Sequence, residues 1–259
     1  MITAELNKIQ QIIINTTENI LPDEKLQAFI NSGSKYIRSK IAVLYLKAFN
    51  KEISNDIPKI IAAGELIHNA SLLHDDVIDD SDLRRGKTTI AKEFSQNISI
   101  LSGDYIITNA VNLLLSINNN EIASMFTECV KTMAKAEINQ YFMRDKIPSK
   151  DEYLKICEGK TAELFATILT CCSLISDLDL DFGRDFGKIF GLYFQIKNDM
   201  EYHSSNEDKK NKINTAINIL GIENTTILLD NLKAELDNQL GNIPRNQYSV
   251  ELRNIINKL

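Results

Sequence analysis

Apolar residues recur every third or fourth position through most of this 259-residue chain, and runs of strict alternation are scarce. A period near 3.6 buries one face of a helix, whereas a half-buried strand needs a period of two. Little in the chain interrupts such helices. Its ten glycines and four prolines make up about 5% of the residues, against roughly 12% in average proteins. Sandwiches and barrels need frequent tight turns, so the chain is expected to be all-α. The widest apolar stripe runs from Pro58 to about Asp80: Ile60, Ala63, Ile67, Ala70, Leu73 and Val77 define it, and Ile61, Leu66 and Leu72 widen it. Such a width implies burial among several neighbours. Further helices are expected at about 3–20, 36–49, 98–117, 120–144, 151–176, 180–203, 211–220, 223–239 and 248–258, with Gly33, Gly86, Pro148 and Gly241 as breaks. No Pro-, Gly- or Ser-rich linker divides the chain, and its length lies near the limit of about 250–300 residues for one hydrophobic core. One domain, 1–259, is the expectation.

The charge balance narrows the function classes. With 29 Lys and Arg against 35 Asp and Glu the net charge is -6, which argues against a nucleic-acid partner, because duplex binding is driven by clustered cations. The first residues, MITAELNKIQ, are polar and carry Glu5 where a signal peptide needs a basic start and an apolar stretch. No unbroken run of about 18 apolar residues follows. A cytoplasmic protein with no integral membrane segment is expected. Cys129, Cys157, Cys171 and Cys172 form no CxxC pair and no zinc-ligand spacing with His, so they are expected to be free thiols in a helical core.

The chemistry concentrates where the widest stripe ends, in His74-Asp75-Asp76-Val77-Ile78-Asp79-Asp80-Ser81-Asp82. Residues four apart on a helix project together, so Asp75 pairs with Asp79 and Asp76 with Asp80. Like charges repel there, and the helix macrodipole is negative at the same end. Cations are the natural compensation. Mg²⁺ takes one or two carboxylates and completes its shell with water and phosphate oxygens. A solvated acidic helix end is the alternative for a generic cluster of this kind. Here Arg84-Arg85-Gly86-Lys87 follows at once, and Arg binds phosphate oxygens in bidentate fashion. Carboxylates followed so closely by cations point to metal plus phosphate.

The stretch Ser71–Thr89, SLLHDDVIDDSDLRRGKTT, resembles the first aspartate-rich motif, DDxxD followed by RRG, of the trans-isoprenyl diphosphate synthases. Other stations appear in the family's order over about residues 33–217. Residues Gly33 to Arg38 are similar to its GGKRxR segment, Gly103-Asp104 to its small LxGD turn, and Glu137 with Gln140 to its GExxQ helix. Lys160-Thr161-Ala162 resembles its KTA site, and Phe194-Gln195-Ile196 the start of its second acidic motif. The resemblance implies an all-helical bundle whose two acidic motifs face each other across a deep central cavity, usually in a homodimer. It implies a prenyltransferase that condenses isopentenyl diphosphate with an allylic diphosphate. By the same carry-over Asp75, Asp76 and Asp79 hold Mg²⁺ against the allylic diphosphate, and Arg84 and Lys160 bind that diphosphate. Lys35, Arg38, His68 and Arg85 match the positions for isopentenyl diphosphate, and Thr161 and Gln195 line the reacting end. Small residues at Ala70 and Ser71, where the family places bulky floors, imply a medium or long polyprenyl product. Phe165, Tyr193 and Phe194 offer ring faces to a carbocation; plain core packing is their alternative role.

The pattern is broken in places. The second motif reads Asn198-Asp199-Met200-Glu201-Tyr202, so two of its three carboxylates are missing, which leaves Asp199 as its metal-binding carboxylate with Glu201 nearby. Ser34 replaces a Gly, Tyr36 an Arg and Ser39 a Pro, and Lys212, within the run Lys209-Lys210-Asn211-Lys212, stands for the family's diphosphate-binding loop lysine. Two alternatives follow. The first is a weak or inactive subunit of a heteromeric synthase. The second is a terpene cyclase, which Tyr202 and Asn206 disfavour. His74 is expected to be structural and His203 to lie on the surface.

Overall fold

The computed structural model describes residues 1–17, 24–31, 36–84, 86–202 and 214–259. They divide into two compact units, Met1–Val43 with Ile53–Ala123, and Leu44–Glu52 with Ser124–Leu259.

The first unit holds α1 (Thr3–Thr17), α2 (Glu24–Asn31), the start of α3 (Ile37–Ala48), and α4 (Ile57–Ile78). Two-residue strands β1 (Leu83–Arg84) and β2 (Lys87–Thr88), the short α5 (Ile90–Glu93), α6 (Gln96–Leu115) and the first residues of α7 (Asn120–Phe142) complete it. α4 is its axis. Pro58 lies in the first turn, where the missing N–H costs nothing, and Ile57, Ile60, Ile61, Leu66, Ala70 and Leu73 are buried. α1 packs against α4, and its Ile9 and Ile13 are fully buried.

α6 crosses α4 closely. Ser99 Oγ donates to the Leu73 carbonyl at 2.8 Å, and a Cβ placed on Gly103 would lie 2.3 Å from His74 Nε2. Gly103 is thus a helical contact residue and not the turn expected from sequence. His74 is structural, as expected: its ring covers Gly103, with Nε2 3.3 Å from both the Ile100 carbonyl and Asp104 Oδ1. Among the described residues one helix, α6, is long and apolar enough on average to cross a membrane, although no run in it is unbroken. Its Ser99, Ser102 and Gly103 are buried.

The second unit holds the remainder of α3 and of α7, then α8 (Lys150–Cys157), a π-helical turn (Glu158–Ala162), α9 (Glu163–Ile175) and α10 (Leu180–Tyr202). α11 (Ala216–Gly241) and α12 (Gln247–Lys258) follow. Ser149 starts α8 with a capping box: its Oγ accepts from Glu152 N, and the Glu152 carboxylate accepts from Ser149 N. α11 is interrupted at Gly221, whose φ of 76° only glycine adopts without strain, and there the expected helices 211–220 and 223–239 meet. α2 is a helix that the apolar pattern did not show. The four cysteines are free and buried, as expected.

α9 is buried on every side from Leu164 to Ser173, and α10 approaches it through glycines one helical turn apart. A Cβ on Gly187 would lie 2.6 Å from Ala166 Cα, one on Gly191 2.5 Å from Ala162 Cα, and one on Gly183 2.4 Å from Ser173 Oγ. Two of these contacts are with backbone, which cannot yield as a side chain can. Gly187→Ala is therefore expected to destabilise the protein by about 1–3 kcal/mol through overpacking, despite gaining up to about 1 kcal/mol of helix propensity. Gly241→Ala, which meets nothing within 4 Å, should be neutral or stabilising. Urea unfolding of both variants checks this, and equal midpoints would refute the close packing.

Candidate active site

At 100° per residue, Glu65, His68, Asn69, Leu72, Asp75, Asp76 and Asp79 fall within about 120° of arc on α4. Glu65, Asn69, Asp76 and Asp79 on this polar stripe are buried. Near its start, Glu65 Oε1 accepts from the backbone N–H of Ser39 at 3.1 Å and from its hydroxyl at 2.7 Å. The residue where the family has proline thus supplies two donors to a buried carboxylate. Arg38, beside Ser39, is 7% exposed. Burial, and then the charge of Glu65, raise the Tyr36 hydroxyl above its ordinary pKa.

The end of α4 sets the direction of each carboxylate. Asp79 is the C-cap, and Asp80 takes the left-handed conformation at φ 45°. Ser81 N donates to the Asp76 carbonyl at 2.9 Å and Asp80 N to the Val77 carbonyl at 3.2 Å, which is the Schellman pattern with Asp in the position usually held by glycine. Asp79 stays in helical register, with its N–H on the Asp75 carbonyl at 2.8 Å, so the Asp75/Asp79 pairing holds. The Asp76/Asp80 pairing does not: Asp80 turns outward and is exposed, while the Asp76 side chain is 0% exposed.

Past the turn, β1 and β2 pair Leu83 with Thr88 and Arg84 with Lys87. Thr89 ties this hairpin back, its hydroxyl donating to the Ser81 carbonyl at 2.7 Å. Arg84 is thereby brought over α4, where its Nε donates to Asp76 Oδ1 at 2.5 Å. Asp76 is thus enclosed and anchors the guanidinium. Among the described residues no three His, Cys, Asp or Glu side chains converge as a metal cage. Asp75 and Asp79 fit Mg²⁺ as the one or two carboxylates it needs beside phosphate and water, at a helix C-terminus that favours a cation.

The second unit builds its own polar cluster. α8 and α9 are one continuous helix except at the π-turn Glu158–Ala162, which carries Lys160-Thr161-Ala162; such bulges are frequent at functional sites. Gly159 lets the turn approach α7, since a Cβ there would lie 2.8 Å from Ala136 Cβ. Lys160 Nζ then reaches Glu137 Oε2 at 2.5 Å. Thr161 Oγ1 donates to Gln195 Oε1 at 2.7 Å, and Gln195 Nε2 donates to Asp199 Oδ1 at 2.7 Å. Asp199 Oδ2 accepts from Tyr153 OH at 2.5 Å and from Ala216 N at 2.9 Å. Burial raises the pKa values of the Tyr153 hydroxyl and the Cys157 thiol, which leaves Cys157 inert. A pocket in this unit is lined by Gln140, Cys157, Lys160, Thr161, Gln195 and Asp199, among others.

The structure brings Lys160, Thr161, Gln195 and Asp199 together, and it places His68, Asp75 and Asp79 on one face of α4. Lys35, Arg85 and Lys212 lie outside the described residues, as does His203. Of the two expected floor positions, Ala70 is fully buried and projects about 180° from Asp79, whereas Ser71 is half-buried. Sequence reasoning missed the buried Glu65 and Tyr153. Glu65 had a signal, as a carboxylate within an apolar stripe, whereas Tyr153 lies 46 residues from its partner Asp199 and had none.

A polyprenyl synthetase family model matches residues 21–246. Octaprenyl diphosphate synthase of Escherichia coli is 36% identical over 148 residues, 57% of this chain and 46% of that protein, so the chain spans about half the length of the curated relatives it matches. The crystal structure of a decaprenyl diphosphate synthase from Rhodobacter capsulatus superposes with a TM-score of 0.89 at 19% identity, covering 99% of this chain and 95% of that one. The structure of a geranyltransferase from Helicobacter pylori complexed with magnesium and isoprenyl diphosphate gives 0.78 at 21% identity, covering 98% and 94%. The fold is the all-α isoprenoid synthase fold. The chain belongs to the polyprenyl synthetase family.

Removing Arg84 takes the guanidinium from a fully enclosed carboxylate. Breaking a buried pair from one side costs about 3–5 kcal/mol, and Arg84 Ala substitution should fall at the lower end because the Arg84 side chain is 25% exposed and water can enter. Arg84→Ala is thus expected to lose about 3 kcal/mol in urea unfolding, and the double variant Asp76→Asn/Arg84→Ala to recover part of it. No loss in the single variant would show that the pair does not hold the hairpin.

Proposed function

We propose that the chain is a Mg²⁺-dependent prenyltransferase that condenses isopentenyl diphosphate with an allylic diphosphate to a medium or long polyprenyl diphosphate. The observation that carries it is the Asp75/Asp79 pair at the end of α4 with Arg84 anchored on the intervening Asp76, in a polyprenyl synthetase chain. The names octaprenyl and decaprenyl diphosphate synthase among its curated relatives support the product class, as does the small Ser71. We further propose that residues 1–259 work as one catalytic domain, as a cytoplasmic homodimer.

When an allylic diphosphate ionises, the carbon–oxygen bond electrons leave with the diphosphate. The double bond of isopentenyl diphosphate then attacks the cation, and proton loss restores an alkene. Asp75 and Asp79, with Asp76 beside them, would hold Mg²⁺, which would supply charge neutralisation on the leaving diphosphate. Arg84, already oriented by Asp76, offers its terminal N–H groups to the same diphosphate, and Lys160, held by Glu137, offers its ammonium. These preorganised cations stabilise charge as it develops, and no protein nucleophile is required. Arg38 and His68, with Lys35 and Arg85, receive isopentenyl diphosphate, and Lys212 adds a further phosphate contact. Thr161 and Gln195 face the reacting end. Phe165 and Phe194, with ring centroids 6.0 Å apart, exclude water and offer ring faces to the cation, while Tyr193 lies toward Asp230 and Asp237 of α11 and packs in the core.

The test is incorporation of labelled isopentenyl diphosphate into chain-extended products with a panel of allylic primers. Asp75→Ala should lose about 100-fold or more of the rate while keeping its helical circular dichroism. Full wild-type turnover in excess chelator would remove the metal from the mechanism. Ser71→Phe should shorten the products, and an unchanged distribution would place the product path elsewhere. Asn198→Asp restores a charged oxygen ligand with almost no change in volume, so it should lower the Mg²⁺ concentration for half-maximal rate; an unchanged titration would remove position 198 from the metal site.

A further inference from the structure

We infer that Asp199 and Tyr153 are positioning residues, and that Asp199, the carboxylate remaining in the second acidic motif, fixes the polarity of the Thr161–Gln195 pair instead of holding Mg²⁺. The inference rests on the proposed prenyltransferase and goes beyond it.

An ionised carboxylate only accepts hydrogen bonds, and a side-chain amide accepts at one end and donates at the other. With Asp199 Oδ1 at 2.7 Å from Gln195 Nε2, the amide must turn its NH₂ toward Asp199 and its carbonyl toward Thr161. The Thr161 hydroxyl then donates its hydrogen to Gln195 Oε1 at 2.7 Å. Its hydrogen is committed, so what Thr161 offers the pocket is oxygen lone pairs, the polarity that suits an electron-deficient carbon.

Asp199 is itself held from two sides. Tyr153, 3% exposed, donates to Oδ2 at 2.5 Å, and Ala216 N donates to the same oxygen at 2.9 Å. Ala216 is the first residue of α11, whose N-cap Thr215 makes no side-chain cap hydrogen bond. Asp199 therefore caps α11 from α10, with its charge against the positive end of a helix dipole. Among the described residues three protein donors share the carboxylate, against about four acceptor sites in all. The lone pairs they use are not available to a cation.

Asp199→Asn keeps the volume but adds a donor. If its oxygen stays on Ala216 and Tyr153, its NH₂ faces Gln195, the amide must turn over, and Thr161 becomes an acceptor with its hydrogen toward the pocket. The expected result is a kcat lower by about 10–100-fold with both KM values within about twofold, and a smaller loss in the same sense for Tyr153→Phe. Two measurements need no turnover. Calorimetric titration of Mg²⁺ with inorganic diphosphate should give the same affinity for wild type and Asp199→Asn. The Gln195 side-chain amide resonance, assigned by its loss in Gln195→Ala, should exchange slowly with solvent in wild type and shift in both variants. A tenfold or greater loss of Mg²⁺ affinity in Asp199→Asn would make it a metal ligand and overturn the inference. So would an unmoved Gln195 resonance, or an unchanged kcat beside an active wild type. If wild type incorporates nothing with any primer, the prenyltransferase proposal fails, while the titration and the resonance still decide the role of Asp199. If Asp199→Asn does not fold, Tyr153→Phe decides by its kcat and by the Gln195 resonance.

Discussion

A helix that carries Glu65, Asn69, Asp76 and Asp79 on one buried face stays folded only if the buried carboxylates meet donors or cations, because an isolated charge in a protein interior costs several kcal/mol. α4 meets that requirement with what the chain places around it. Ser39 brings a backbone N–H and a hydroxyl to Glu65, and Arg84 brings a guanidinium to Asp76. Each donor comes from a segment that is itself a candidate for binding substrate. The carboxylates inside α4 therefore do two things: they are compensated, and in being compensated they hold Arg84 and the residues next to Arg38 in place. The left-handed Asp80 is what makes this possible at the C-terminal end, since it stops the helix and lets the chain return as a hairpin over Asp76.

The same constraint organises the second unit in different elements. Glu137 on α7 meets Lys160, and Asp199 on α10 meets a tyrosine, an amide and a helix N-terminus. The π-turn matters here because it inserts one extra residue into the helix and so turns Lys160 and Thr161 off the path that continuous α-helix would give them. The close contact of α9 and α10 at Gly187 and Gly191 then brings Thr161 within hydrogen-bond distance of Gln195. Replacing small residues in that contact would move the two helices apart and lengthen the bond on which the polarity of the pair depends.

Much of this was legible in the sequence, for identifiable reasons. Helices declare themselves through apolar period, so α4, α7 and α10 were readable to within a few residues, as was the pairing of Asp75 with Asp79; the single helix expected over 151–176 is divided by the π-turn into α8 and α9. Features set by local backbone or by distant partners were not. The expected Asp76/Asp80 pair failed because one residue in the left-handed region changes direction without changing the pattern of charges. Gly103 read as a turn because glycine most often marks one, while here it makes room for the His74 ring. α2 has too short an apolar pattern to stand out over eight residues. Ala70 and Ser71 were paired by axial distance from Asp75, and azimuth separates them: at 100° per residue Ala70 projects away from the acidic face.

The departures from the family pattern are also easier to interpret with the partners known. A proline at position 39 could give Glu65 neither an N–H nor a hydroxyl, whereas Ser39 gives both, so this change comes with its own local compensation. The second motif can be read in the same way. Its retained carboxylate, Asp199, is the one that caps α11 and orients Gln195, and its altered position, Asn198, lies beside it on α10 without that duty. Loss of charge at 198 removes at most one metal ligand and leaves the internal scaffold intact. Loss at 199 would remove the acceptor for three donors at once, each of which would then need another partner in a partly enclosed site. Of the motif's three carboxylate positions, 198 and 202 are changed, and the carboxylate that stands at 199 is the one whose removal would be structurally costly, which is the pattern expected if scaffold and metal binding are carried by different members of the same motif.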